Sequence, residues 1–215
     1  MSWKPILSTL AASVLLLLVL LACKRNTEPS PAEKAADEER MTKEVARGNQ
    51  ALQTLAALEA KVKTAGTPPA MKSSVLESKS SGYANFDVLL ADELSDPNEF
   101  PKIRIGHQEF AKCAKMVKAR TVSISDCSTP YAVVLKPATY QRAEVAGDSF
   151  TPGKVDATAY VFDMKTSELI GGGHIVASTP KSITTKSSTA ENDLNDKLAT
   201  AAFESIVQEL NVKTN

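Results

Sequence analysis

The sequence predicts an α+β fold, a mostly antiparallel sheet with packed helices, preceded by a long N-terminal helix. Three observations lead there. A stretch from residue 31 to 66 repeats its apolar residues at helical spacing, segments rich in β-formers follow through the middle of the chain, and a broadly apolar helical segment closes it. With 43% apolar and 23% charged side chains in 215 residues, the chain has the composition of a folded protein. The order strand, helix, several strands, helix places the helices on one side of the sheet.

Met1 to Pro5 carries one Lys, and Ile6 to Ala22 carries no charge. That pattern reads as a secretory signal peptide, residues 1–22; the alternative is an uncleaved transmembrane anchor, because the run is only slightly short of the ~20 residues that cross a bilayer. Residues 23–30 are polar and lead into Pro29 and Pro31, the composition of a flexible tether. Ser30-Pro31-Ala32-Glu33 then sets Ser at the N-cap, Pro at the first helical position and Glu three residues on, an arrangement that satisfies the orphan backbone donors of a helix start. The helix continues through Ala35, Met41, Val45, Leu52, Leu55 and Val62, and Gly66-Thr67-Pro68-Pro69 stops it. A coiled-coil seam over Met41, Val45, Gly48, Leu52, Leu55, Glu59 and Val62 is spoiled by the hole at Gly48 and the charge at Glu59. A helix folding back on its own domain, or a spacer, is preferred.

Residues 70–215 form the α+β domain. Phe86, Val88 and Leu90 alternate with Asn85, Asp87 and Leu89, which predicts a half-buried strand, and Ser95-Asp96-Pro97-Asn98 predicts a turn. Phe110, Cys113, Ala114 and Val117 share one face of a helix from about His107 to Ala119. Tyr131 to Leu135 is a strand. Asp156 to Phe162 and Leu169 to Ala177 flank a polar loop and form a hairpin. The last helix opens at Ser188, with Glu191 completing a capping box, and runs to Leu210 before Asn211. Its face of Leu194, Leu198, Ala202, Ile206 and Leu210 must pack on the sheet.

Leu20-Leu21-Ala22-Cys23 resembles the lipobox of bacterial lipoproteins, in which a small residue precedes a Cys that is acylated and becomes the first residue after cleavage. The resemblance implies a lipid on Cys23. Each acyl methylene buried in the bilayer contributes ~0.8 kcal/mol, so anchoring needs no basic patch. Removal of residues 1–22 takes away Lys4 and leaves the mature chain one charge below neutral. Under the sorting rule of enterobacterial lipoproteins, Lys24 in place of Asp after the Cys implies the outer membrane, facing the periplasm. Phe150-Thr151-Pro152-Gly153, Tyr160-Val161-Phe162-Asp163 and Glu168-Leu169-Ile170-Gly171 loosely resemble a strand and hairpin arrangement of uncharacterised bacterial envelope lipoproteins. A fainter likeness, in topology alone, is to periplasmic accessory lipoproteins that activate a cell-wall synthase.

With Cys23 lipidated, Cys113 and Cys127 remain as an even pair, for which a disulfide is the natural inference in an oxidising compartment. It closes a loop of about fifteen residues, worth ~3 kcal/mol in the chain-entropy model. The alternative is two reduced cysteines, with Cys113 buried on its apolar face. A redox or zinc role lacks Cys-x-x-Cys spacing and has only His107 and His174 as imidazole ligands, so no metal or cofactor is expected.

Gly171-Gly172-Gly173 precedes His174 in strand-like surroundings, which predicts a bulge or the close approach of a neighbouring element and not a phosphate loop. No Gly-x-Ser-x-Gly elbow occurs, and Ser178-Thr179-Pro180-Lys181 holds a Pro where a catalytic helix would begin. Asp87, Asp92, Glu93, Asp96 and Glu99 lack the spacing of a calcium loop and read as a solvated turn. Balanced charge, with 25 basic and 25 acidic side chains, argues against nucleic acid as a partner. The expected function is therefore a membrane-anchored envelope lipoprotein with a non-enzymatic binding or accessory role toward a protein or cell-wall partner. The alternative is a small periplasmic hydrolase with His107 or His174 as base.

Overall fold

A computed structural model describes residues 30–72, 74–79, 84–94, 105, 129–147, 149–180 and 190–214. In chain order the elements are α1 (Pro31–Thr64), β1 (Glu77–Ser78), β2 (Phe86–Leu90), a 3-10 turn (Ala91–Glu93), β3 (Tyr131–Gln141), β4 (Glu144–Ala146), β5 (Ser149–Thr151), β6 (Lys154–Asp163), β7 (Leu169–Ser178), α2 (Ala190–Glu209) and β8 (Lys213–Thr214). The chain divides into two units, residues 1–40 and 41–215.

In the first unit the capping box forms as the sequence predicts. The Ser30 N–H donates to Glu33 Oε2 at 2.7 Å, and the Glu33 N–H donates to Ser30 Oγ at 3.3 Å. The backbone N–H of Ser30, aided by its hydroxyl, holds the Glu33 carboxyl below the usual carboxylate range.

The second unit is built on a four-stranded sheet in the order β2-β3-β6-β7. β2 runs parallel to β3, whereas β3 with β6 and β6 with β7 are antiparallel, so the sheet is mostly antiparallel as expected. The helix expected over Ser188–Leu210 is described from Ala190, with Ser188 outside the described residues, and Asn211 at φ 52° ends it in the left-handed conformation suited to that position. α2 lays Leu198, Ala202 and Ile206 on Phe86, Val133, Leu135, Val161 and Ile175. Phe203 stacks on Phe86, with ring centroids 6.1 Å apart.

The opposite face is also covered. Leu55, Leu58 and Val62 of α1 pack on Leu89, Val134, Tyr160 and Phe162 in a second core. This corrects the expectation that helices lie on one side. It also corrects the half-buried reading of β2, all five of whose residues are buried. A strand between two helical layers has no solvent face, so burial no longer follows the two-residue period. Asp87 sits within this strand at 4% exposure, not in a solvated turn, and holds a polar interaction of its own. Asp92, in the 3-10 turn, is exposed as expected. Each fully buried Leu of α1 contributes about 1.5–3 kcal/mol through burial alone.

The chain leaving α1 is pinned to the sheet. Lys136 Nζ donates to the Val62 carbonyl at 3.2 Å, Tyr160 Oη donates to the Gly66 carbonyl at 3.2 Å, and the Gly172 N–H donates to the Pro69 carbonyl at 2.8 Å. Lys61 donates to the Ser167 carbonyl. The glycine run makes this possible. A Cβ on Gly172 would lie 2.1 Å from the Ala159 carbonyl oxygen and 2.6 Å from Pro68, and one on Gly171 would lie 2.5 Å from Met71 Sδ. A shift in the β6–β7 register next to Gly171 adds the bulge, so both parts of the sequence reading hold. The hairpin loop closes on Asp163 Oδ1, which accepts the N–H groups of Lys165 at 2.8 Å and Thr166 at 3.0 Å.

Candidate functional site

His174 is the candidate base that the structure describes. It stands on β7 opposite Thr158 of β6, on the face of the sheet that α1 covers farther along. Lys136, Asp156, Thr158 and Val176 belong to the same open patch by strand alternation. The His174 side chain is 64% exposed, and its Nε2 lies 3.5 Å from Asp156 Oδ1, beyond ordinary hydrogen-bond length. Lys154 Nζ is 3.9 Å from the other Asp156 oxygen. Such water-screened contacts hold little energy. At this edge Ser205 Oγ accepts the Val176 N–H at 3.3 Å, which ties α2 to β7 and engages that hydroxyl in structure. General-base catalysis needs a nucleophile within hydrogen-bond reach and a shielded space for the reacting group.

The concave site lies on the other face, at the far end of β3. There the register of β3 on β6 jumps from Pro137 opposite Ala157 to Thr139 opposite Asp156, leaving Ala138 as the extra residue of a bulge. Pro137 fits because β2 has already ended, its last pair being Leu90 with Leu135, so the missing N–H breaks no β2 ladder bond. A bulge bends the strand that carries it, and β3 stays paired with β6 beyond the bulge as far as Gln141. A cavity of about 200 Å³ opens beside the bulge, and among the described residues its walls include Leu90, Ile105, Leu135, Pro137, Val155 and Ala157, with Asp92 and Tyr140 as polar members. Leu90, Ile105, Leu135, Val155 and Ala157 are buried. Asp92 and Tyr140 each hold an interaction of their own.

The sequence reading missed this site because its walls come from four separate stretches of chain. The one local signal was Pro137, which follows a run of β-formers and marks an edge or a bulge. Cys23, His107, Cys113, Cys127, Asp96 and Glu99 lie outside the described residues. Among the described residues, no cluster of three His, Cys, Asp or Glu side chains has the arrangement of a metal site, and no helix is long and apolar enough to cross a membrane. Compared with protein-family models, with curated proteins and with solved structures, the chain matches none.

Proposed function

We propose that this chain is an envelope lipoprotein, anchored by lipid on Cys23 to the outer membrane and facing the periplasm, whose α+β domain binds a protein or cell-wall partner without catalysing a reaction. The observation that carries this reading is Leu20-Leu21-Ala22-Cys23 at the end of an uncharged run that begins at Ile6. Lys24 supports the choice of membrane. The exposure of His174 favours binding over hydrolysis, because a base left in water beside Asp156, whose other oxygen faces Lys154, is placed for surface recognition. α2 supports a partner surface as well: Asp196, Thr200 and Glu204 point outward from a helix whose other side is fixed on the sheet.

Photoreactive residues at Asp196, Thr200 and Glu204 in intact cells test this. The reading expects one recurring protein or cell-wall adduct, diminished when Cys23→Ser releases the domain from the membrane. Absence of any adduct, together with an enzymatic activity that His174→Ala removes, would establish the hydrolase reading in its place.

A further inference from the structure

We infer that the cavity beside the Ala138 bulge is a binding site for a small, neutral, mainly apolar molecule with the bulk of one or two fused rings. Its volume of about 200 Å³ sets the size of the occupant. Engineered apolar cavities of ~150 Å³ take up benzene, and pockets for drug-sized ligands begin near ~300 Å³. A single ring fits with room to spare, and a fused pair fills the space.

The walls set the chemistry. Among the described residues Leu90, Ile105, Leu135, Val155 and Ala157 present hydrocarbon, and a charged group placed against them would lose hydration that these side chains do not replace. The Asp92 carboxylate disfavours an anion, so a short fatty acid is the wrong occupant. Asp92 and Tyr140, which hold interactions of their own, give the cavity a polar edge toward which a weakly polar group of the ligand, such as a ring N–H, can be turned. Pro137, the residue before the one inserted at Ala138, is among the walls, so the cavity sits against a specific irregularity of β3. This inference is independent of the lipid on Cys23.

Saturation-transfer NMR with indole on the detergent-solubilised full chain tests it, using Ala157→Leu protein in the same detergent so that partition into micelles cancels. The expected result is saturable transfer to indole in the parent protein and its loss in Ala157→Leu, whose added carbons occupy the space. Ile105→Phe fills the cavity from another wall and replaces Ala157→Leu should that variant not fold, as judged by circular dichroism. Hexanoate should show no saturable transfer. No saturable indole signal in the parent, or a signal that persists in a folded filling variant, overturns the site. Equal transfer to hexanoate overturns its neutral-ligand character.

Discussion

The side-chain amide of Asn195 grips the backbone of Ala143 at both of its polar groups. Nδ2 donates to the Ala143 carbonyl at 3.2 Å, and Oδ1 accepts the Ala143 N–H at 3.1 Å. α2 is thereby fixed to the corner where β3 turns toward β4, on the helix side that also carries Leu194 and Leu198 into the core.

Ala143 is fully buried, so water cannot readily take the place of Asn195. Asn195→Ala leaves two backbone groups without this partner and should lower stability by about 2–6 kcal/mol, since each unsatisfied group costs about 1–3 kcal/mol. Urea denaturation checks this through a shifted midpoint at unchanged slope. A midpoint within error of the parent would show that the corner relaxes and finds other partners.

The glycines should separate sharply by position. Gly172→Ala puts a methyl group 2.1 Å from the Ala159 carbonyl oxygen, a backbone atom within the sheet. A loss of about 3 kcal/mol or more is expected, in the upper range for single substitutions. Gly66 has open space around its added Cβ, and Gly66→Ala should stay within about 0.5 kcal/mol of the parent. Equal effects in thermal denaturation would contradict the close packing of Gly172 against Ala159 and Pro68.

Leu58 reports on the second core. If α1 were only a spacer, Leu58→Ala would be nearly silent. Because Leu58 is fully buried over the sheet, the substitution should cost about 2–5 kcal/mol, comparable to Ile206→Ala on the opposite face. The two variants denatured side by side give the comparison.

Particular residues explain what was legible in the sequence. The Ser30–Glu33 capping box, the Asp163 loop and Asn211 are local devices: the interacting groups lie within a few residues of one another, so the sequence displays them whole. The placement of α1 was harder to read. Its buried set, Glu44, Gly48, Ala51, Leu55, Leu58 and Val62, steps by four and three. That rhythm serves a coiled-coil seam and a stripe facing a sheet equally well. The signal that a second layer covered the sheet was Leu89 at a position expected to be polar, and Asp87 two residues earlier masked it. The cavity was least legible, because a bulge at Ala138 depends on the partner strand as much as on its own sequence.

Cys113 and Cys127 are proposed to be joined. Intact-mass analysis after treatment with a thiol-alkylating reagent should show no adduct until reductant is added, and two adducts afterwards. Two adducts without reduction would mean free thiols. If the bridge is native, Cys113→Ala should cost about 2–5 kcal/mol.

The lipid on Cys23 is the claim on which the rest of the functional reading depends, and intact-mass spectrometry of the chain extracted from membranes tests it most directly. The predicted species starts at Cys23 and carries a diacylglyceryl group with an added N-acyl chain. A chain retaining Met1, or one that begins after Ala22 without lipid, would contradict it.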